Sequence, residues 1–102
     1  MRDHPDTLIT WFSIAQEMAA RGEHAGAEEE FRAVLPHLER KLGLDHPVTL
    51  TLWFSIAREM AERGDRDGAR SECRGMLPYL HRRLGPDHPH TLAAAEWADH
   101  GR

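Results

Sequence analysis

Apolar residues recur along this chain at intervals of three and four, a spacing that places them on one face of an α-helix. The first such stripe follows Pro5 and stops at Arg21-Gly22, and its copy stops at Arg63-Gly64. The two stripes consist of Leu8, Trp11, Ile14, Ala15 and Met18, and of Leu50, Trp53, Ile56, Ala57 and Met60. We therefore expect each stripe to be the buried face of an amphipathic helix that ends at glycine.

A second apolar stripe follows each of these glycine turns. It predicts a helix that begins near His24 in the first case and near Arg66 in the second. The expected buried residues are Ala27, Phe31, Val34, Leu35, Leu38 and Leu42, matched by Ala69, Cys73, Met76, Leu77, Leu80 and Leu84. Pro36 and Pro78 lie inside these helices, and each should bend its helix because proline removes one backbone hydrogen bond.

The two helix pairs are copies of one unit. Residues 3–44 and 45–86 align without a gap at a period of 42 residues, and the opening Asp-His-Pro-x-Thr-Leu returns at 87–92. A fixed period of this length is typical of stacked units that bury their apolar faces against one another. We predict a single all-α domain over residues 1–102, with five helices: two full units and one final helix within 87–102. The apolar stripe of this final helix, Leu92, Ala95 and Ala98, should pack against the preceding unit.

The joints between units carry signals that end one helix and start the next. Gly43 and Gly85 can end a helix, and a proline that follows the joint can start another. The joint histidines, His4, His46 and His88, are interpreted as capping and turn residues. Each joint is therefore expected to be a short turn.

Composition excludes several classes of function. With 40 % hydrophobic residues, 29 % charged residues and a net charge of −4, the chain is typical of a globular domain. Its basic residues are scattered, so we expect no nucleic-acid partner. No apolar run is long enough to predict a membrane span or a secretory signal. The single cysteine, Cys73, cannot form an internal disulfide and is interpreted as a buried small hydrophobe. We expect a cytoplasmic protein.

No group of residues predicts catalysis or a metal site. Ser13 and Ser55 lack a histidine at helical spacing, and residues 22–26 lack the Gly-Lys-Ser/Thr ending of a phosphate loop. The chain has eight histidines. Those of the joints would lie one repeat apart, and His88 with His90 lacks the further convergent ligands that zinc needs. We therefore predict that the chain is not an enzyme and requires no cofactor or metal.

The order of the apolar stripes, glycine turns and joints in each 42-residue unit resembles the tetratricopeptide repeat (TPR), in its 42-residue variant of the kinesin-light-chain type. The matching features are Leu-Gly-x-Asp-His-Pro-x-Thr-Leu at the joints, a bulky residue before Ile-Ala in the first helix, the Arg-Gly turn, and Ala27 with Phe31 in the second helix. The resemblance covers almost the whole chain and implies a right-handed α-solenoid. Its first helices would line a concave groove that holds a peptide of a partner protein. Ser13 and Ser55 depart from the family, which usually carries a peptide-clamping Asn there.

The resemblance also indicates which residues would face the groove. They are Ile9, Phe12, Gln16 and Ala20 of the first helix, Thr51, Phe54, Arg58 and Glu62 of the third, and Ala93, Glu96 and His100 of the fifth. Phe12 and Phe54 lie outside the apolar stripes, so they would offer exposed apolar surface typical of an interaction site. Alternatively, both rings pack on adjacent helices and complete the core. Arg58 could pair with an acidic group of a partner.

Two other functions stay open at this stage. Two and a half units bury a small core and leave their end faces open. One alternative is therefore a self-assembly element, in which these faces are covered by a second copy of the chain through self-association or domain swapping. Leu8 and Trp11 would lie at one end and the helix of Trp97 at the other. The resemblance also allows a peptide-sensing repeat within a larger regulatory protein, since in bacteria similar repeats often lie at the end of larger regulatory proteins.

Overall fold

The computed structural model describes the backbone of residues 5–100 and the side chains of residues 8–99. Over this range the chain forms five α-helices and no strand. They are α1 (Pro5–Ala20), α2 (His24–Leu42), α3 (Pro47–Glu62), α4 (Arg66–Leu84) and α5 (Pro89–His100). The predicted all-α class and helix starts are confirmed. Helices α2 and α4 continue through Pro36 and Pro78.

Histidine caps start the helices at the joints. The backbone amide of Val48 donates a hydrogen bond to Nδ1 of His46 at 3.1 Å, at the first turn of α3. The amide of His90 donates to Nδ1 of His88 at the same distance. These bonds satisfy amides that have no partner inside the helix. The interpretation of the joint histidines as caps is thus confirmed at two joints, and His4 lies outside the described residues.

Glycine closes the turn inside each unit. Gly22 and Gly64 have φ angles of 83° and 99°, in the left-handed region that favours glycine. After the first of these turns, the amide of Glu23 donates to the carbonyl of Met18 at 2.9 Å, and the corresponding bond in the second unit measures 2.8 Å. This closure reverses the chain, so the second helix of each unit packs against the first.

The core runs through the stack as one continuous cluster. Each helix packs against the next one along the chain, and α3 also contacts α5. The largest fully buried side chains include Phe31, Val34, Leu50, Leu52, Ile56, Cys73, Met76 and Leu80. Trp97 packs partly buried against this cluster. The stacking of first and second helices therefore supplies the buried surface that neither unit could form alone.

Three residues of the predicted apolar stripes are exposed, so their expected burial was wrong. Ile14, Leu92 and Leu42 are 53 %, 55 % and 41 % exposed. Their burial depends on position in the stack. Ile14 and Leu92 correspond to Ile56 and Leu50, which are 0 % exposed. The described chain has no unit before α1 and no second helix after α5, so the stack leaves both end faces open.

The same side-chain hydrogen bond joins the two helices of each unit. Nε1 of Trp11 donates to Oε1 of Glu30 at 2.6 Å, and Nε1 of Trp53 donates to Glu72 at the same distance. Each pair spans 19 residues. A polar anchor of this kind satisfies the indole N–H while the ring packs on the core. The bond therefore fixes how α1 lies on α2 and α3 on α4.

Candidate functional site

An open cleft of about 320 Å³ lies between the last turns of α1 and α3 and the start of α2. It is lined by Gln16, Ala19, Ala20, His24, Arg58, Glu59 and Glu62. Four of these residues, Gln16, Ala20, Arg58 and Glu62, were predicted to face the groove, and the fold brings them together although they come from different units. They lie together because stacking places the C-terminal ends of α1 and α3 side by side.

A buried carboxylate forms the floor of this cleft. The side chain of Glu59 is 3 % exposed, and its Oε1 lies 2.6 Å from Nδ1 of His24. Its other oxygen lies 3.8 Å from Nε of Arg58, whose side chain is 52 % exposed. That second contact is long for an ion pair, so the guanidinium of Arg58 keeps donors that can bind another carboxylate. The cleft thus combines a fixed acidic floor with an accessible cationic wall.

Phe12 and Phe54 pack on neighbouring helices. The Phe12 ring meets Phe31 of α2 edge-on, with centroids 5.6 Å apart, and the Phe54 ring stacks on His90 of α5 at 5.9 Å. Both rings are half-buried against the core and neither lines the cleft. Each ring therefore contributes to packing between helices, and its contact with a partner stays a prediction.

The remaining predicted groove residues lie elsewhere. Ile9, which is 62 % exposed, borders a second cleft of about 160 Å³. The other residues that line it are Leu8, Leu38, Lys41, Leu42 and Val48. Thr51 is half-buried on α3, and Glu96 is exposed on α5. The side chain of His100 lies outside the described residues. The predicted set is thus divided between two clefts and the surrounding surface.

Ser55 is satisfied inside the fold. Its hydroxyl donates to the backbone carbonyl of Thr51 at 3.0 Å, and the residue is buried. The TPR resemblance would place a peptide-clamping Asn at this position. Because its donor already has a partner, the hydroxyl is poorly placed to clamp a peptide backbone.

Cys73 is an inert thiol. It is fully buried in the core, at the position that Phe31 holds in the first unit. Burial, with a smaller effect from the charge of Glu72, raises the pKa of the thiol to about 11. The thiol is therefore protonated at neutral pH and is a poor nucleophile. The interpretation of Cys73 as a buried small hydrophobe is confirmed.

A second buried carboxylate, Glu28, joins α2 to the turn after α3. It accepts a hydrogen bond from Nε of Arg32 at 2.8 Å and another from Nε of Arg63 at 2.5 Å. Burial alone would raise the pKa of this carboxyl. The hydrogen bonds and charges of Arg63 and Arg32 outweigh burial, so the pKa lies below its ordinary value. Glu28 is therefore ionised at neutral pH and stabilises the contact between the two units.

Acid should weaken this contact. Because the pKa of Glu28 is below its ordinary 4.5 in the folded chain, its stabilisation is fully present above that value and is lost as pH falls through the folded pKa. At neutral pH, Glu28→Gln should reduce the free energy of unfolding by about 1–3 kcal/mol. In acid, below the folded pKa, the difference from wild type should shrink. Urea unfolding followed by circular dichroism measures both values.

The matched control for this experiment is Glu29→Gln, which removes a neighbouring exposed carboxylate. We expect it to change stability by less than about 0.5 kcal/mol. A deficit of the Glu28 variant that is equally large at neutral and acid pH would contradict the role assigned to its ionised form.

The described part of the chain contains neither a metal-binding cluster nor a helix that could span a membrane. Among those residues, no three or more His, Cys, Asp or Glu side chains are grouped so that they could hold a metal ion. The rings of His88 and His90 lie 5.2 Å apart, but Nδ1 of His88 is occupied by its capping hydrogen bond. Within the same residues, no helix has the length and apolar character needed to cross a membrane.

The chain is similar to a known protein in its structure, whereas comparisons of its sequence find no match. No protein-family model matches the sequence, and the search of curated proteins found no match. Among solved structures, the chain is similar to the nearly identical TPR-like repeats of a Podospora anserina protein provisionally described as a kinesin light chain. The TM-score is 0.80 at 22 % sequence identity. The match covers 99 % of this chain and 48 % of the other, so this chain spans about half the length of that structure.

The likeness extends over both helix pairs and the fifth helix, because almost the whole chain is covered. At this level of identity it establishes the architecture. The period of 42 residues, the order of the helices and the glycine turns lead to the same result. The chain therefore has the TPR-like fold of the kinesin-light-chain repeat type.

Proposed function

We propose that this chain is a scaffold module that binds a peptide segment of a partner protein in the cleft between α1 and α3. A TPR-like fold is generally a non-catalytic scaffold for protein interactions, which supports this class of function. The observation that carries the proposal is the cleft itself, where exposed Arg58 and Glu62 stand beside Gln16 over the buried Glu59. Side chains from two units thus form one recognition surface.

The chemistry of the cleft favours an extended peptide with an acidic side chain. Its volume of about 320 Å³ is at the small end for ligand sites, and it is open along one side. Such a shape suits a few side chains of a longer segment. Arg58 can donate to a carboxylate of the peptide, while Gln16 and Glu62 can bind its polar groups. The bond between His24 and Glu59 holds the floor in place, so binding needs little rearrangement.

Peptide selection tests this function. Random peptides displayed on phage would be enriched on the immobilised chain, and their affinities measured by fluorescence anisotropy. We expect Arg58→Ala to weaken the selected peptides by roughly tenfold or more, because a hydrogen bond between charged groups is lost. The melting temperature should stay close to wild type, since Arg58 is exposed.

The matched control is Arg83→Ala, which removes an exposed arginine from α4, away from the cleft. It should leave peptide affinity within about twofold of wild type, since distant surface charges are largely screened. Selected peptides that bind the Arg58 and Arg83 variants equally well would show that the cleft is not the binding site.

A further inference from the structure

Helix α4 carries a row of three arginines. Arg66, Arg70 and Arg74 follow one another at intervals of four, so they lie along one face of the helix. Within the described part of the chain, none of the three forms an ion pair. Nε of Arg70 is buried and has no hydrogen-bond partner among those residues. Unsatisfied buried donors are uncommon, and this one shows that the described part of the fold supplies no acceptor to Nε of Arg70.

In the first unit, the side chains at the equivalent positions have hydrogen-bond partners within the fold. At the equivalent positions α2 carries His24, Glu28 and Arg32. His24 pairs with Glu59 of α3, and Glu28 accepts hydrogen bonds from Arg32 and from the turn after α3. A carboxylate therefore stands at the centre of the contact between the first and second units.

In the second unit this central carboxylate is replaced by a base. Arg70 occupies the position of Glu28, and Arg74 that of Arg32, so two guanidinium groups stand four residues apart. Arg74 donates through Nε to the carbonyl of Ala98 at 3.2 Å, which leaves its terminal nitrogens available. Glu72 lies between them in sequence, but it accepts the indole N–H of Trp53. Among the described residues, the two cations thus lack the acid that Glu28 supplies in the first unit.

We propose that Arg70 and Arg74 bind a side-chain carboxylate of an acidic helical peptide from a partner protein. The peptide would lie against α4 beside the end of α5, with carboxylates four residues apart that match the arginine row. Charge complementarity supports this occupant, since α4 carries five arginines and only two acidic residues. A nucleic acid fits poorly, because the whole chain has a net charge of −4. This surface shares no residue with the cleft between α1 and α3.

Binding of a designed peptide tests the site. The probe is a labelled, alanine-rich helical peptide with pairs of Glu four residues apart, and its control has Gln at every Glu position. Fluorescence anisotropy should show that the Gln peptide binds at least about tenfold more weakly, because charge-assisted hydrogen bonds are lost. Added salt should weaken binding of the Glu peptide.

The matched pair of protein variants is Arg70→Glu and Arg83→Glu, which change the net charge equally. Arg70→Glu should reduce affinity for the Glu peptide by about tenfold or more. Arg83→Glu should reduce it by less than about threefold, since its charge lies several turns away and is screened.

Arg70→Glu should also fold as stably as wild type, so a loss of peptide affinity in this variant would not be caused by unfolding. A glutamate at position 70 can pair with Arg74 as Glu28 pairs with Arg32, so the melting temperature should equal or exceed that of wild type. The inference is overturned if the Glu peptide does not bind, if both peptides bind equally, or if both variants lose the same affinity. A lower melting temperature of Arg70→Glu also overturns it, since Arg70 would then be a structural residue with an internal partner.

Discussion

Replacing Phe31 with alanine should lower the free energy of unfolding by about 3–5 kcal/mol, because a large cavity opens in the core. Phe31 is fully buried on α2, and its ring meets Phe12 of α1 edge-on at 5.6 Å. A domain of this size is marginally stable, with roughly 5–15 kcal/mol in total. The variant should therefore be partly unfolded in mild urea, as measured by far-ultraviolet circular dichroism.

The repeat supplies a control at the equivalent position, Cys73→Ala. Cys73 is also fully buried, but its side chain is small, so its removal should cost only about 1 kcal/mol. Equal losses in the two variants would contradict the account, because the aromatic ring would then contribute no more to the first unit than a thiol does to the second.

Ile56→Ala should lower the free energy of unfolding by about 2–5 kcal/mol, whereas Ile14→Ala should change it by less than about 0.5 kcal/mol. The two residues occupy the same position of the repeat, yet Ile56 is fully buried and Ile14 is half exposed. The contrast follows from stacking: α3 has a unit before it and α1 has none in the described chain. Urea unfolding at low protein concentration measures both values.

Similar losses in both isoleucine variants would mean that the exposed face of α1 is covered in solution. That outcome would favour the alternative function of self-association, since a second copy could supply the cover. The same unfolding experiment at a higher protein concentration would then give a higher apparent stability.

The helix bounds could be predicted because their signals are local. Pro5 starts α1, Gly22 closes the first turn, and His46 and His88 cap the next helices through the amide two residues on. Each of these features involves residues within one turn of the boundary. Because the sequence repeats every 42 residues, the helices assigned in one unit apply to the other units as well. The whole fold could therefore be predicted from these local signals and the repeat.

Burial at the ends of the stack could not be predicted from periodicity. The apolar stripe describes an average unit, whereas the exposure of Ile14 and Leu92 depends on whether another helix lies beside them. The expectation for Leu42 failed because α2 ends at that residue, beside the small apolar cleft. Sequence alone indicates which face of a helix is apolar, and the neighbouring units decide whether that face is covered.

The candidate site was only partly predictable. Gln16, Arg58 and Glu62 follow from the resemblance, but the pairing of His24 with Glu59 joins residues 35 apart and has no counterpart in the second unit. Side-chain pairs that recur in both units could have been found. Tryptophan and glutamate stand 19 residues apart in each, and the change from acid to base at the equivalent positions 28 and 70 is visible once the units are aligned.

Nuclear magnetic resonance tests the central claim most directly, because it reports on every backbone amide. A selected peptide would be titrated into the isotope-labelled chain, and the shifted amides mapped onto the helices. We predict the largest shifts at the ends of α1 and α3, around Gln16, Arg58 and Glu62, with small shifts at exposed Ala33 on α2. Shifts concentrated on α2 and α4, with the cleft unaffected, would contradict the proposal that stacked first helices form the peptide-binding surface.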